Sequence, residues 1–377
     1  MKKTLINKSV KVKKIVVATG IYPPEIGGPA TYSKLLFDEL PKKNILVDVC
    51  PFSLVRKLPK ILRHFVYICF LFKKSIGADI IFAQDTVSVG FPAAIVSKLM
   101  RKRFFLRVPG DYVWEQSVQR FGVKDSIDLF QTKKYNIGVT FLRWIQVFTT
   151  ESAEFVITPS NYFTQVVSKW TNKKINIKTI YNGIDFPSLK TKTNARVSLH
   201  IKEDSFVIVS SGRLVQWKGF KEIIEALYKI IPKRKNITLF ILGDGPEKLK
   251  LEKLISDLNL NEHVMIVGQV PRDVMFDYLV SADVFLLNTS FESFSFQTIE
   301  AMYSGAFVIV SKIGSLPELV EDGISGLLFE VNNQTQMIDS LEKVMEIEST
   351  ENIKKTATER AKLFSIERTI DELIKLF

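Results

Sequence analysis

Two carboxylates, Glu292 and Glu300, lie eight positions apart in the segment FESFSFQTIEAMYSG, residues 291–305. Ser293 and Ser295 are good N-cap residues, and apolar positions recur after them until Gly305, a residue type that often ends helices. One carboxylate is therefore expected before a helix and the other about two turns inside it, on a shared side. Between them lies a helix N-terminus, whose N–H groups and dipole attract phosphate. A diphosphate with a sugar at each end would fit this arrangement.

Two cations are expected near the end of a strand upstream. Residues 206–213, FVIVSSGR, have the pattern of a buried strand that ends in a glycine turn, and a basic loop and a helical pattern follow. Arg213 and Lys218 are thus placed near the carboxyl end of a strand, where open α/β sheets bind ligands. A guanidinium can hold phosphate oxygens through two hydrogen bonds, and a lysine adds a mobile positive charge.

These segments resemble the signatures of the retaining glycosyltransferases called group 1, or family 4. The carboxylate pair resembles the Glu-x7-Glu signature, and residues 212–219 resemble the Gly-Arg-Leu…Lys-Gly motif. The loop with Gly27 and Gly28 is similar to the family's first-strand glycine loop, which faces the donor. The matching motifs run from near residue 15 to near residue 370, so the resemblance covers nearly the whole chain.

The resemblance implies an α/β fold of GT-B architecture: two facing Rossmann-like domains with parallel sheets and an interdomain cleft. Short apolar strand patterns that alternate with helical patterns also favour buried parallel sheets. We predict an acceptor-side domain at residues 1–185, with a C-terminal helix at about 362–377 packing back on it. We predict a nucleotide-sugar-binding domain at residues 190–361. The polar segment 185–205 has the composition of a linker.

The resemblance also implies the reaction. A sugar would move, with retention of anomeric configuration, from a nucleotide-diphosphate sugar to a glycan or lipid-linked acceptor, as in the synthesis of cell-surface polysaccharide or glycolipid. Glu292 would hold the hydroxyls of the transferred sugar and Glu300 those of the ribose. The residues implied to bind the donor are Arg213, Lys218, Glu300, Phe294, Ser295, Gly27, Gly28 and Val267.

Two departures from the family pattern concern the site. The family usually has glycine at the position of Ser295. Many members also have a histidine after a first-domain strand, where this chain has PGDYVWE, residues 109–115. A Pro-Gly turn after a strand would place Asp111 at the cleft mouth. We therefore predict Asp111 as the second catalytic residue beside Glu292; the alternatives are that Glu115 serves instead, that the role is absent, or that Asp111 is a simple turn aspartate.

No metal and no cofactor are expected, because the nucleotide sugar acts as a co-substrate. The chain contains no Asp-x-Asp motif, and its three histidines lack the spacing of metal ligands. The glycine loop does not match G-x-G-x-x-G, which argues against a dinucleotide cofactor.

Positive charge is concentrated in the first half of the chain. Residues 1–185 carry a net charge of +16 and the remainder −4. This asymmetry favours an anionic membrane surface or a lipid-phosphate acceptor over nucleic acid, for which no motif is found; general lysine richness is the alternative. The apolar run at the N-terminus is too short for a secretory signal, which favours a cytoplasmic protein at the inner face of the cell membrane.

The run HFVYICFLF, residues 64–72, is predicted to form a mostly buried helix, since it is too short to span a bilayer. Its alternative is a membrane-dipping face, because cations flank the run on both sides. Cys50 and Cys69 lie in apolar surroundings and are both predicted to be buried.

Two other functions remain open from the sequence. A sugar-nucleotide epimerase would share the architecture, and a non-catalytic nucleotide-sugar-binding subunit would tolerate the departures at Ser295 and at the histidine position. The donor nucleotide (UDP, GDP or ADP), the sugar, the acceptor, its linkage and the oligomeric state are not specified by the residues.

Overall fold

The computed structural model describes residues 12–25, 27–234, 236–346 and 350–377. The N-terminal residues that bear on the export prediction lie partly outside these ranges. The chain divides into two compact units: one runs to Tyr181 and includes Thr369–Phe377, and the other is Asn182–Arg368. In the described residues each unit is built on a six-stranded parallel sheet flanked by helices. The predicted α/β fold with two Rossmann-like units is confirmed.

The strands of the first unit are short apolar runs because helices cover both faces of their sheet. Their order across the sheet is β2-β1-β3-β4-β5-β6. The strands are β1 (Lys14–Thr19), β2 (Leu46–Pro51), β3 (Ile80–Ala83), β4 (Arg103–Arg107), β5 (Phe155–Thr158) and β6 (Ile177–Thr179). The helices are α1 (Gly28–Glu39), α2 (Lys60–Lys74), α3 (Gly90–Met100), α4 (Tyr112–Phe121), α5 (Ile127–Thr132), α6 (Ile137–Ser152) and α7 (Asn161–Ser168).

The second unit has the strand order β12-β11-β10-β7-β8-β9. Its strands are β7 (Phe206–Ser211), β8 (Ile237–Leu242), β9 (Val264–Gly268), β10 (Val284–Leu287), β11 (Phe307–Ser311) and β12 (Leu327–Phe329). Its helices are α8 (Lys192–Ser198), α9 (Phe220–Ile230), α10 (Lys248–Asp257), α11 (Arg272–Ser281), α12 (Phe296–Tyr303), α13 (Leu316–Leu319), α14 (Gln334–Glu346) and α15 (Glu351–Lys362). A final helix, α16 (Ile366–Ile374), runs from this unit into the closing residues of the first.

The end of the chain is fixed within the first unit. The Arg103 guanidinium donates to the carbonyl of Leu376 at 3.0 Å. The ring of Phe377 lies 5.6 Å from that of Phe105. These contacts hold the C-terminal residues against β4.

The polar segment predicted as a linker contains a helix, α8, so this part of the prediction is wrong. Thr191 caps the helix by accepting a hydrogen bond from the N–H of Asn194 at 3.3 Å. Arg196 is buried and donates to the carbonyl of Ser281 and to the Asp283 carboxylate. A buried arginine, rather than an apolar stripe, anchors α8, which explains why hydrophobic periodicity did not reveal it.

Candidate functional site

The carboxyl end of the second sheet gathers the predicted site residues of that unit. The chain leaves β7 towards β8 and β9, and then returns to β10 on the other side of β7. The loops that follow β7 and β10 therefore emerge side by side from neighbouring strands. Such a reversal of strand order opens a crevice at the carboxyl ends, where α/β sheets bind ligands.

The loop after β7 is fastened to the loop after β10. The side-chain amide of Asn288 donates a hydrogen bond to the carbonyl of Gly219 at 3.3 Å. The N–H of Ser290 donates to the carbonyl of Trp217 at 2.8 Å. Gly219 has a φ of +61°, and a Cβ there would lie 2.1 Å from the carbonyl oxygen of Asn288. Only glycine fits, and this close approach brings Lys218 to the second loop.

Lys218 and Glu292, predicted for different roles, form an ion pair. The Lys218 Nζ lies 2.5 Å from Glu292 Oε2, and only 13% and 10% of the two side chains are exposed. The carbonyl of Glu292 accepts a hydrogen bond from the N–H of Ser315 at 3.0 Å. Gly314, with a φ of +58°, passes so close that a Cβ would lie 2.2 Å from that carbonyl oxygen. The pair is therefore positioned by backbone contacts on both sides.

Helix α12 begins at Phe296, four residues after Glu292, and Ser295, one of the two predicted N-cap residues, caps it. The Ser295 hydroxyl accepts hydrogen bonds from the N–H of Thr298 at 3.3 Å and from the Thr298 hydroxyl at 2.8 Å. Ser295 has a φ of −100°, an ordinary value for a residue with a side chain, so serine replaces the family's glycine without strain. Glu300 is the fifth residue of the helix, little more than one turn inside rather than two, because the helix starts at Phe296.

Glu300 is buried and pairs with Arg272, a residue that the sequence reasoning missed. Glu300 is 5% exposed, and its Oε1 lies 3.2 Å from a guanidinium nitrogen of Arg272. Burial raises the pKa of Glu300 to about 7, and the charge of Arg272 opposes this rise. Arg272 starts α11, just past the carboxyl end of β9. The signal that indicated Arg213, a cation that follows a strand, was present here too.

Replacement of Glu300 by glutamine should remove a pH-dependent loss of stability. The folded-state pKa of about 7 exceeds the ordinary 4.5, so Glu300 favours folding most below pH 4.5 and loses this contribution as the pH rises through 7. The shift corresponds to a cost on the order of 3 kcal/mol at high pH. Thermal melts should show the Tm of Glu300→Gln rising relative to wild type between about pH 5 and pH 8. Glu330→Gln, at an exposed position, serves as the control. An equal Tm difference between Glu300→Gln and wild type at about pH 5 and pH 8 would contradict the raised pKa of Glu300.

Arg213 projects into solvent from the same edge of the sheet. Its side chain is exposed, and among the described residues no hydrogen bond or ion pair engages it. The N–H of Leu214 donates to the carbonyl of Asp244 at 2.9 Å, which ties this loop to the turn after β8. Arg213 is thus a charged group on an ordered loop with its guanidinium still available.

The remaining predicted residues of this unit occupy two settings. Val267 is half-buried at the end of β9, where the carbonyl of Gly268 accepts a hydrogen bond from the N–H of Gly243 at 2.8 Å. Phe294 is buried, and its ring packs edge-on against Phe296 at 5.4 Å. Phe294 therefore holds the start of α12 in the core while its backbone stays in the loop beside Glu292.

Gly27, Gly28 and Asp111 belong to the first unit. Gly27 precedes α1 and Gly28 is its first residue. A side chain at Gly28 would meet nothing within 4 Å, so the backbone there borders open space. Both positions follow β1, at the carboxyl end of the first sheet.

Asp111 caps α4 and is fully buried. One carboxylate oxygen accepts from the N–H of Trp114 at 3.0 Å, and the other accepts from the Gln131 amide at 3.0 Å. Burial raises the pKa of the Asp111 carboxyl. Both oxygens therefore serve helix α4 and its neighbour α5, which is a structural role; the catalytic role stays a prediction.

The described ranges lack both clustered metal-ligand side chains and long apolar helices. There, no group of three His, Cys, Asp or Glu side chains could hold a metal ion. In the same part of the chain, no helix has the length and apolar character needed to cross a bilayer.

Residues 191–361 match the family described as Glycosyl transferases group 1. The second unit belongs to this family. The predicted family membership is confirmed, and the Lys218–Glu292 pair, Arg213 and Glu300 all lie inside the matched segment.

Individual glycosyltransferases are also similar to part of this chain. An uncharacterized glycosyltransferase of Methanocaldococcus jannaschii is 30% identical over 52% of this chain and 52% of its own length. The Campylobacter jejuni N-acetylgalactosamine-N,N'-diacetylbacillosaminyl-diphospho-undecaprenol 4-alpha-N-acetylgalactosaminyltransferase is 32% identical over 49% of each chain. The chain thus spans about half the length of these curated relatives.

Structural similarity extends further along the chain. The Anabaena HepE structure in complex with UDP-glucose has a TM-score of 0.73 and 21% identity, and the match covers 96% of this chain and 98% of that one. At this identity the similarity shows the fold alone. With the two parallel sheets, it confirms the predicted GT-B fold.

Proposed function

We propose that this protein is a retaining glycosyltransferase that moves a sugar from a nucleotide-diphosphate sugar to a hydroxyl of a glycan or lipid-linked acceptor. The observation that carries the proposal is the Lys218–Glu292 ion pair, set at the start of α12 and at the reversal point of the second sheet. A cation, a carboxylate and a helix N-terminus converge there. These are the groups that a diphosphate and a sugar need.

The diphosphate would be held by Arg213 and Lys218. In the free protein the Glu292 carboxylate neutralises Lys218, so the site contains no isolated buried charge. A diphosphate carries more negative charge than one carboxylate and would compete for Lys218. The exposed guanidinium of Arg213 would add two parallel hydrogen bonds. Binding would then release Glu292 to accept hydrogen bonds from the hydroxyls of the transferred sugar.

The nucleoside would extend along the same edge of the sheet. Glu300 would accept hydrogen bonds from the ribose hydroxyls, and the base would pack near Val267. Backbone N–H groups near Phe294 and Ser295, at the start of α12, would help to bind the donor. In the first unit, Gly27 and Gly28 would let the backbone approach the donor, and Asp111 stays the candidate polar group near the reacting bond.

The reaction would form a bond between the acceptor oxygen and the anomeric carbon while the bond from that carbon to the diphosphate oxygen breaks. The acceptor loses its hydroxyl proton, and the nucleoside diphosphate leaves with the electron pair. Arg213 and Lys218 would stabilise the negative charge that develops on this leaving group. Two protein cations in that position make a metal ion unnecessary, so we propose a metal-independent transfer.

Two similar proteins suggest which classes of acceptor and donor to propose for this chain. The Campylobacter relative acts on a diphospho-undecaprenol substrate, and the Anabaena neighbour binds UDP-glucose. For this chain we propose a cell-surface polysaccharide or glycolipid pathway, with UDP as the first donor nucleotide to test. A cytoplasmic location with peripheral contact to an anionic membrane through the basic first unit belongs to the same proposal.

Nucleotide binding tests the proposal most simply. A thermal-shift screen with UDP, GDP and ADP should raise the Tm with one nucleotide, since a ligand that binds only the folded state stabilises it by mass action. The rise in Tm on nucleotide binding should persist in excess chelator, and so should sugar transfer. Loss of transfer on chelation, restored by a divalent ion, would contradict the metal-independent reaction. Interconversion of donor sugars without any acceptor would instead identify an epimerase.

A further inference from the structure

Helix α2 turns an apolar stripe towards solvent. Tyr67 and Leu71 are fully buried, and the Tyr67 hydroxyl donates to the Cys50 carbonyl at 2.7 Å, so this side faces the sheet. The opposite side should be polar in an ordinary surface helix. It instead carries large apolar side chains that are 42–66% exposed: Leu62, Phe65, Phe72 and Ile76, the last just past the helix end. The prediction of a mostly buried helix is therefore wrong.

The spacing shows that this exposure forms one continuous surface. Leu62, Phe65 and Phe72 are separated by three and seven positions, which places them along one line of the helix, and Ile76 follows four positions later, just past the helix end. Cys69 lies on the same line and is exposed, contrary to its predicted burial, whereas Cys50 is buried as predicted. We call these five residues the α2 stripe.

Helix α6 adds a second apolar stripe to the same layer of helices. Ile137, Phe141 and Trp144 are 88%, 58% and 56% exposed, and the rings of Phe141 and Trp144 stack at 6.1 Å. Helix α3 packs against both α2 and α6. The three helices connect β2 to β3, β3 to β4 and β4 to β5, always in one direction across the sheet. Right-handed crossovers in one direction lie on one face, so both stripes belong to one outer surface.

The charge around α2 is positive. Residues 49–78 contain six Lys and Arg and no Asp or Glu. Lys57, before α2, and Lys73, at its end, are both exposed. On α3, the Lys98 ammonium lies 4.2 Å from the ring centroid of Phe148. The acidic residue of α6, Glu151, is paired with Lys173 at 2.6 Å.

We propose that the outer surface of α2 and α6 docks on an anionic phospholipid bilayer, with α2 lying in the interface plane. Exposed aromatic and aliphatic side chains would enter the boundary of the acyl chains while the flanking cations contact lipid phosphates. At 15 residues, α2 is too short to span a bilayer but long enough to lie on one.

A second copy of the chain fits this surface less well. A two-fold symmetric contact would place the surface against itself and bring cations against cations. An anionic bilayer supplies both the apolar partner and the opposite charge. The inference deepens the membrane contact in the proposed function by naming its surface. It is tested without donor or acceptor, so its failure would leave the transfer reaction untouched.

Vesicle flotation tests the docking surface. The full chain should float with vesicles of phosphatidylcholine containing about one third phosphatidylglycerol, and not with phosphatidylcholine alone. The double variant Phe65→Ser/Phe72→Ser should lower the vesicle partition coefficient at least about tenfold with an unchanged Tm, because both side chains are exposed. Tyr228→Ser/Leu249→Ser removes two large side chains of the second unit that are 50% and 79% exposed, and this matched control should bind like wild type.

The charge contribution is tested in the same assay. Lys57→Gln/Lys73→Gln should weaken binding by roughly tenfold or more, at about 1 kcal/mol for each cation near the surface. Lys202→Gln/Lys253→Gln, at exposed positions of the second unit, is the matched control. Since Cys50 is buried, a polarity-sensitive thiol dye should label Cys69 and shift to the blue on anionic vesicles.

Three results would overturn the inference. One is absence of binding to anionic vesicles, and another is equal binding by the Phe65→Ser/Phe72→Ser variant. The third is a concentration-dependent dimer that this variant dissociates, without vesicle binding, which would assign the surface to a second copy of the chain.

Discussion

Replacement of Arg213 by alanine is expected to lower sugar transfer by about 10²–10³-fold, the usual effect of removing one group that stabilises charge in the transition state. The side chain is exposed and has no partner among the described residues, so the Tm should not change. Steady-state kinetics with a saturating acceptor, together with thermal melts, measure the two effects separately. Lys221→Ala, which removes an exposed cation from α9, is the matched control.

Lys218 should behave differently from Arg213. Its removal would also lower transfer, but it leaves the Glu292 carboxylate buried without its counter-charge, which costs about 3–5 kcal/mol. The double variant Lys218→Ala/Glu292→Gln should recover much of this stability and none of the activity. Lys312→Ala, from the exposed Lys312–Glu330 pair, should leave both unchanged. Full activity in Arg213→Ala/Lys218→Ala would refute the proposed role of both cations.

Replacement of Glu292 by glutamine is expected to separate sugar transfer from nucleotide binding. Transfer should fall by about 10- to 100-fold or more, because hydrogen bonds from sugar hydroxyls to a charged group contribute about 1.5–3 kcal/mol. Affinity for the nucleoside diphosphate should stay the same or increase, since Lys218 no longer shares its charge with a carboxylate. Calorimetric titration with the diphosphate and steady-state kinetics measure the two quantities.

The control for this variant is Glu330→Gln, which removes a carboxylate from an exposed ion pair of the same unit. It should change neither transfer nor diphosphate affinity. A large loss of diphosphate affinity in Glu292→Gln, with the protein still folded, would mean that Glu292 organises the phosphate site rather than the sugar site.

Local sequence signals were sufficient to place most of the second-unit site. Arg213 and Lys218 could be placed because an apolar strand pattern ends just before them, and α12 could be placed because Ser295 is a strong cap. These signals concern short segments and parallel strands, whose carboxyl ends must meet at one edge. The Lys218–Glu292 ion pair could not be predicted from such local signals. The two residues are 74 positions apart and meet only because β10 returns beside β7.

Other features depended on tertiary packing that no short segment specifies. Arg272 reaches Glu300 because α11 and α12 pack together, although their sequences carry no joint signal. The α2 stripe was predicted to be buried because apolar residues usually are, and nothing in the run itself shows that the structure leaves one side uncovered. Asp111 illustrates a further ambiguity: a turn aspartate after a strand suits both a helix cap and a catalytic group.

A crystal soaked with the nucleoside diphosphate chosen by the thermal-shift screen would test the central claim most directly. The diphosphate is expected within hydrogen-bond distance of Arg213 and Lys218 at the start of α12, with Lys218 drawn away from Glu292. A diphosphate bound elsewhere, with the Lys218–Glu292 pair intact and Arg213 still in solvent, would contradict it.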